Sequence, residues 1–188
     1  MKVIHLHTNE KRLIKKALNK NRAAQQTIYE RYAPKMLSVC RMYIKDTHFA
    51  EDVMLKAFLK VFTHLKTFKN EGSFEGWIRK IMVREAISFL RSHKKFQFSE
   101  DVEYSKSVLL ADSFQPDSEI DYIQTEIDKL PEGYKIVFVM YVVEGYKHKE
   151  IAELLNITEG TSKSQLAKAR KLLQDRLRNH VKEGNADE

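Results

Sequence analysis

The sequence predicts an all-α protein: two small helical domains joined by an extended acidic linker, with a helix-turn-helix in the C-terminal domain. Three observations carry that expectation. Nearly every long segment repeats its apolar residues at three- and four-residue spacing instead of alternating them. Only six glycines and three prolines occur in 188 residues. One stretch, residues 97–121, loses the apolar period and turns acidic.

The elements follow in chain order. Residues 1–20 read as a short basic leader. The first domain is expected over 21–96 and opens with a long helix from Ala23 to Ile44. Ile28, Tyr32, Leu37 and Ile44 are its candidate buried side, and Pro34 is expected to kink or interrupt it. Phe49 to Leu65 forms a second helix with Val53, Ala57, Phe58, Phe62 and Leu65 apolar. Asn70, Gly72 and Ser73 mark a loop from Phe68 to Phe74. A third helix runs from about Phe74 to His93, its core side including Phe74, Ile78, Ile81, Met82 and Phe89.

In the linker, residues 97–121, Glu100, Asp101, Glu103, Asp112, Asp117, Glu119 and Asp121 face a single cation, Lys106, and Pro116 discourages a continuous helix. So long a structureless run inside one compact domain would be unusual. The second domain is expected over 122–181, with 182–188 as a frayed tail. Helical pattern resumes with Ile120 and Ile127, stops at Leu130-Pro131, and restarts through Ile136, Val139, Met140 and Val143.

Composition narrows the function. A hydrophobic fraction of 43% supplies packed cores and argues against disorder throughout. The net charge of +7 favours a polyanionic partner, though charge alone does not separate nucleic acid from an anionic membrane surface. A single cysteine, Cys40, excludes an internal disulfide and suggests a reducing compartment. The N-terminus lacks the apolar run of a signal peptide, and no apolar stretch approaches the length of a membrane span. A soluble, cytoplasmic protein without membrane insertion is expected.

Two patterns point to DNA. Between Glu144 and Leu177, Ile151, Leu154 and Leu155 give a short helix one apolar face. Asn156-Ile157 interrupts it, and Thr158 is a good N-cap for a second helix. Asn suits such a turn because it tolerates a left-handed backbone. In the second helix Leu166, Ala169, Leu173 and Leu177 fall on one side, and Ser164, Lys168 and Lys171 on the other, with Lys163 flanking. Two short helices with small polar and basic residues outward are a form that enters the major groove. An ordinary helical hairpin with a solvated basic face is the plainer alternative. On the third helix of the first domain, Trp77, Lys80, Arg84, Ser88, Arg91 and Lys95 form one stripe of four cations, an aromatic and a serine. Such a face holds phosphates while a base stacks. Taken by itself, a solvated exterior with Trp77 covering the core is the better explanation, and the polar loop beside the stripe shifts the balance toward an unpaired base.

Four stretches taken together resemble the extracytoplasmic-function (ECF) group of bacterial RNA polymerase sigma factors: YERYAPKMLSVCRMYIKD, AEDVMLKAFLKVF, GSFEGWIRKIMVREAISFLR, and LPEGYKIVFVMYVVEGYKHKEIAELLNITEGTSKSQLAKARKLL. Their order around a linker is more specific than any one of them, and the resemblance covers roughly Asn21 to Leu177. It implies a two-domain initiation factor that directs promoter recognition and strand opening. The first domain (region 2-like) would bind core RNA polymerase and the minus-ten element, and the second (region 4-like) would read the minus-thirty-five element. It makes Glu51, Asp52, Leu55, Lys56 and Leu59 candidate core-polymerase contacts. Lys69, Asn70, Gly72 and Ser73 become candidates for holding an unstacked base. Trp77, Lys80, Arg84, Ser88 and Arg91 become candidates for the displaced strand. Thr161, Lys163, Ser164, Gln165, Ala167 and Lys168 would lie at the major groove, with Arg170 and Lys171 on the DNA backbone or facing solvent. An anti-sigma protein is a further implied partner, and the linker would pass through polymerase channels. The sequence departs from the group twice: Leu55-Lys56 stands where Gln and an acid are common, and Arg84 where asparagine is frequent.

Other classes have less support. No glycine-rich phosphate loop or Cys/His zinc spacing occurs, and helix capping accounts for the acids beside His48. No enzyme activity, metal or other cofactor is expected. A two-domain helix-turn-helix regulator, with N-terminal helices that bind an effector, remains the alternative.

Overall fold

A computed structural model describes residues 6–93 and 119–184, with side chains over 10–92 and 122–178. Lys95, residues 97–118 of the acidic linker and the last four residues of the tail lie outside these. Every regular element among the described residues is helical. The chain divides into two compact units, Met1–Lys95 and Phe96–Glu188.

The N-terminal unit begins with helix α1, Leu6–Leu18. The leader expected there is therefore helical over most of its length. Ile14 and Ala17, three residues apart, are buried against the next helix. Glu10 reinforces this contact by accepting a hydrogen bond from the Tyr32 hydroxyl. Burial, then the Glu10 hydrogen bond and charge, raise the Tyr32 phenol above its ordinary range.

Helix α2, Arg22–Tyr43, is capped by Asn21, whose Oδ1 accepts from the Ala24 amide at 2.9 Å. It runs through Pro34 without interruption because buried Tyr32 and Met36 pin the chain on either side. Its inner face uses Met36, Val39, Cys40 and Tyr43, with Leu37 only half-buried. Burial pushes the Cys40 thiol up to about 12, which makes it an inert core residue.

Helix α3, Thr47–His64, starts two residues before the expected point because Asp46 caps it, accepting from the Phe49 amide at 3.0 Å. A single 3-10 turn, Leu65–Thr67, leads into the loop, and helix α4, Phe74–His93, follows. Helices α2, α3 and α4 pack pairwise. Ile28, Val53, Val61, Ile78 and Met82 are at most 2% exposed at their centre. Each such side chain contributes about 1.5–3 kcal/mol by leaving water. Val83, Ala86, Ile87 and Leu90 are buried as well, whereas Phe62, Ile81 and Phe89 are half-buried at the margin.

The C-terminal unit comprises α5 (Glu119–Asp128), α6 (Glu132–Phe138), α7 (His148–Leu155) and α8 (Glu159–Gly184). Pro131 starts α6, where its missing N–H costs nothing. Leu130, Ala169 and Leu173 form a core with Ile127, Tyr134, Phe138 and Leu172 around it. Two buried charges are paired. Lys135 Nζ lies 2.6 Å from Asp128, and Glu126 takes Lys129 at 2.6 Å and Arg176 at 3.4 Å. Each pair sets one buried side chain against a partner that is 20–43% exposed, and together they link α5 to α6 and to α8.

After α6 the chain widens into a π-helical turn, Val139–Val143, with the Glu144 amide bonding the Val139 carbonyl at 3.0 Å. Val143, where the helical pattern was expected to continue, is 41% exposed beside Tyr141 and Val142. Asn156 takes the left-handed backbone anticipated for it, at φ 56°. His148 ties the motif together. Its Nδ1 is 2.9 Å from the fully buried Ser162 hydroxyl, and its ring stacks on Tyr141 at 4.5 Å.

Burial, followed by the Lys163 charge, lowers the His148 pKa below its ordinary 6.5, with Arg170 adding to the effect and Glu159 opposing it. The unfolded chain then takes up a proton first. The stability contributed by neutral His148 is complete above pH 6.5 and is lost as pH falls through the lowered value. His148→Gln keeps a polar partner for Ser162 and removes the titration. Melting curves between about pH 8 and about pH 5 should show wild type losing stability relative to the variant only below the ordinary histidine pKa.

Candidate nucleic-acid interface

In the N-terminal unit the loop between the 3-10 turn and α4 is shaped by its backbone. Asn70 has φ 58° and Gly72 φ 98°, so the chain doubles back with Lys69, Asn70, Gly72 and Ser73 all exposed. A side chain at Gly72 would meet open space but a strained backbone. Ser73 has a structural task, since its hydroxyl accepts the Gly76 amide at 3.0 Å and caps α4. Beneath the loop is an aromatic cluster. Phe68 lies 5.1 Å from Phe74 and 5.6 Å from Trp77, and Phe74 stacks on Trp77 at 5.8 Å. Phe74 is 1% exposed, while Trp77 is half-buried and gives the loop an apolar ledge.

From that ledge the cationic stripe continues along α4. Lys80, Arg84, Ser88 and Arg91 are exposed, and none of the three cations has an ion-pair partner among the described residues. By contrast, Lys60 of α3 pairs with Glu85 at 2.7 Å. A row of unpaired cations next to an aromatic ledge can hold a phosphate chain while a base stacks.

Another outward surface lies on α3. Leu55 is 48% exposed and Leu59 67% exposed, one turn apart. Asp52 and Lys56 beside them are exposed, and Glu51 is half-buried. Two neighbouring leucines left in water mark a place where another molecule can be covered.

The C-terminal unit presents α7, the Asn156 turn and α8 as a helix-turn-helix. Thr158 Oγ1 accepts the Thr161 amide at 3.0 Å and sits 2.9 Å from the Thr161 hydroxyl, so half-buried Thr161 is held by the cap. Lys163, Ser164, Ala167 and Lys168 are exposed on the outer side of α8. Lys163 makes only a loose pair with Glu159 at 3.9 Å, and the Ser164 hydroxyl donates to the Thr161 carbonyl. Gln165 is placed differently from the others. It is 3% exposed, on the same side as Ser162 and Ala169, and its Oε1 has no hydrogen-bond partner among the described residues. Three-residue spacing from Ser162 and four-residue spacing from Ala169 turn it inward. Sequence reasoning also missed two aromatic supports. Lys168 Nζ lies 6.0 Å over the Tyr134 ring, and the Arg170 guanidinium 5.7 Å over Tyr141. Both supports come from α6 and its π-helical turn, and no local motif links either to α8.

Comparison with known proteins matches both units. Residues 28–96 fit the family described as Sigma-70 region 2, and residues 120–173 fit Sigma-70, region 4. The chain is 28% identical over 181 residues to the ECF RNA polymerase sigma factor SigW of Bacillus subtilis, covering 89% of this chain and 96% of the relative. It is 29% identical over 135 residues to the RNA polymerase sigma factor SigV of the same organism, covering 72% and 80%. The ECF RNA polymerase sigma-E factor of Haemophilus influenzae is 23% identical over 177 residues, covering 88% and 93%. Among solved structures, the sigma factor RpoE in complex with the anti-sigma factor NepR from Bartonella quintana shares the fold. Its TM-score is 0.52 at 17% identity, over 81% of this chain and 96% of that one. Two sigma regions in this order, the second holding a helix-turn-helix, give the chain its place: it belongs to the ECF group of the sigma-70 family, RNA polymerase sigma factors that act in promoter recognition and transcription initiation.

Proposed function

We propose that residues 21–96 form the unit that docks on core RNA polymerase and holds the minus-ten element, and that residues 122–181 read the minus-thirty-five element. The observation that carries this division is the pair of cationic surfaces on separate units, one beside an aromatic loop and one on a helix-turn-helix. Catalysis belongs to the polymerase, in the cytoplasm, and this chain lends it sequence choice.

In this reading a base leaves the duplex into the Lys69–Ser73 loop, over Trp77. Lys80, Arg84, Ser88 and Arg91 hold the backbone of the displaced strand. Binding the single strand better than the duplex shifts the equilibrium toward the melted state. Upstream, Lys163 and Lys168 can donate to guanine acceptors and Ala167 can pack on a thymine methyl. Thr161, with the first amides of α8, suits a phosphate. Leu55 and Leu59 supply the apolar centre of core docking, framed by Glu51, Asp52 and Lys56. An anti-sigma protein that covers the same leucines would prevent docking, and the NepR complex of the Bartonella relative supports that kind of partner.

The defining experiment combines the chain with core polymerase and maps the transcripts. Initiation at defined promoters is expected, and Leu59→Glu, which touches no core position, should weaken core binding about tenfold or more through lost apolar burial. DNA binding with no effect on core polymerase would instead make the chain a separate regulator. Lys168→Ala should relax base preference at the upstream element by about 1–3 kcal/mol, read from a matched specificity scan. Replacing Lys80 and Arg91 together with alanine should reduce permanganate reactivity of the melted region more than it reduces duplex docking. Each lost phosphate contact should lower the salt slope by roughly 0.7–0.9.

A further inference from the structure

Helix α1 carries charge that none of these surfaces uses. Lys11, Arg12, Lys15 and Lys16 are all exposed. At about 100° per residue they fall on the side opposite buried Ile14 and Ala17. Lys20 and Arg22 extend the same run across the turn into α2, making six exposed cations between residues 11 and 22. None of these side chains has an ion pair or hydrogen bond among the described residues. The one acid described on α1, Glu10, is engaged with Tyr32.

This arrangement works against the helix itself. Lys11 with Lys15, and Arg12 with Lys16, are like-charge pairs at four-residue spacing, each unfavourable by about 0.2–0.5 kcal/mol in an isolated helix. The dipole at the C-terminal end accounts for Lys15 and Lys16, but gives no reason for Lys11 and Arg12. A polyanion laid along the face does.

The placement of α1 indicates which polyanion. Glu10 bonds Tyr32, whose ring meets Phe74 edge-on at 5.7 Å, and Phe74 in turn contacts Phe68 and Trp77 under the loop. Helix α1 also packs against the Leu65–Thr67 turn that opens the loop, where Lys66 and Lys69 are exposed. The cationic face is thus fixed, through one tyrosine, to the aromatic cluster that would receive a base. We propose that α1, through Lys11, Arg12, Lys15 and Lys16, is a further binding site for the phosphate backbone of promoter DNA, next to the segment held at Lys69–Ser73. This rests on reading that loop as a DNA site. Four cations spread along one helix face match the regular charge of a phosphate backbone.

The test replaces Lys11, Arg12, Lys15 and Lys16 with glutamine, a residue of comparable helix propensity, at exposed positions. Promoter affinity of the reconstituted holoenzyme is measured across a salt series, alongside affinity for core polymerase without DNA. The same series is run on the free chain with a single-stranded promoter oligonucleotide. Four lost contacts should flatten the plot of log affinity against log salt by about three units, with core affinity unchanged. The paired variants Lys11→Gln/Lys15→Gln and Arg12→Gln/Lys16→Gln should each give about half of that, even if the quadruple variant folds poorly. Lys→Arg changes at 11, 15 and 16 should leave the slope intact. An unchanged slope on both DNAs overturns the proposal. So does a loss of core affinity with an unchanged slope, which would assign the face to an acidic polymerase surface. Failure of the wild-type holoenzyme to initiate would fall on the functional reading, while the free-chain series still decides the role of α1.

Discussion

The loop and the cationic helix of the N-terminal unit both depend on how Phe74 is buried. It is the first residue of α4 and 1% exposed, and it touches Tyr32 on α2, Phe68 at the end of the 3-10 turn and Trp77 one turn on. That single ring fixes the start of α4, and with it the angle of the whole cationic stripe. It also sets the floor of the loop and, through Tyr32 and Glu10, the seat of α1. Lys80, Arg84 and Arg91 of α4, like the four cations of α1, have no ion pair among the described residues, and the energy holding these helices comes from the apolar side. A protein that relied on surface ion pairs would have neutralised the charges it needs for DNA, at a gain of only about 0–1 kcal/mol per pair.

The C-terminal unit divides the same problem differently. Its buried charges are paired and lie away from the outer face of α8. Lys135 meets Asp128, and Glu126 meets Lys129 and Arg176. The outward cations instead rest on rings, Lys168 over Tyr134 and Arg170 over Tyr141. A ring face attracts a cation without cancelling its charge and restricts where the side chain can wander. His148, stacked on Tyr141 and bonded to Ser162, connects the support of Arg170 to the interior of α8. Neutral imidazole suits that position, since a charge there would face Lys163 and Arg170.

Much of this was legible in the sequence where one residue type decides a local structure. The three long N-terminal helices, the loop at Asn70 and Gly72, the left-handed Asn156 and the Thr158 cap all follow from short-range rules. What escaped detection depended on tertiary contact. Helix α1 was hidden because its cations outnumber its apolar residues, and Ile14 and Ala17 become a stripe only against α2. The helical pattern through Val143 ends in a π-helical turn that shifts the period and leaves Val143 exposed, which no propensity announces. Gln165 was placed at the groove by family resemblance, although its four-residue spacing from Ala169 turns it toward the core side. Pro34 sits inside a continuous helix because packing around Tyr32 and Met36 outweighs its local cost.

The departure at Leu55-Lys56 acquires a physical meaning from α3. With Leu59 one turn on, Leu55 extends a single exposed leucine into a ridge of two, at 48% and 67% exposure. A polar residue there would offer a partner directional hydrogen bonds whose net worth is about 0.5–1.5 kcal/mol. A leucine offers burial worth about 1.5–3 kcal/mol when fully covered and asks little of the geometry. Under the proposed docking, this chain therefore depends more on shape and desolvation at α3, with Asp52 and Lys56 framing the ridge, than on matched polar pairs. The same substitution adds to the apolar surface left in water while the chain is alone. Under the proposed docking, the same ridge would reward any covering partner when core polymerase is absent, since burial of apolar surface is not directional.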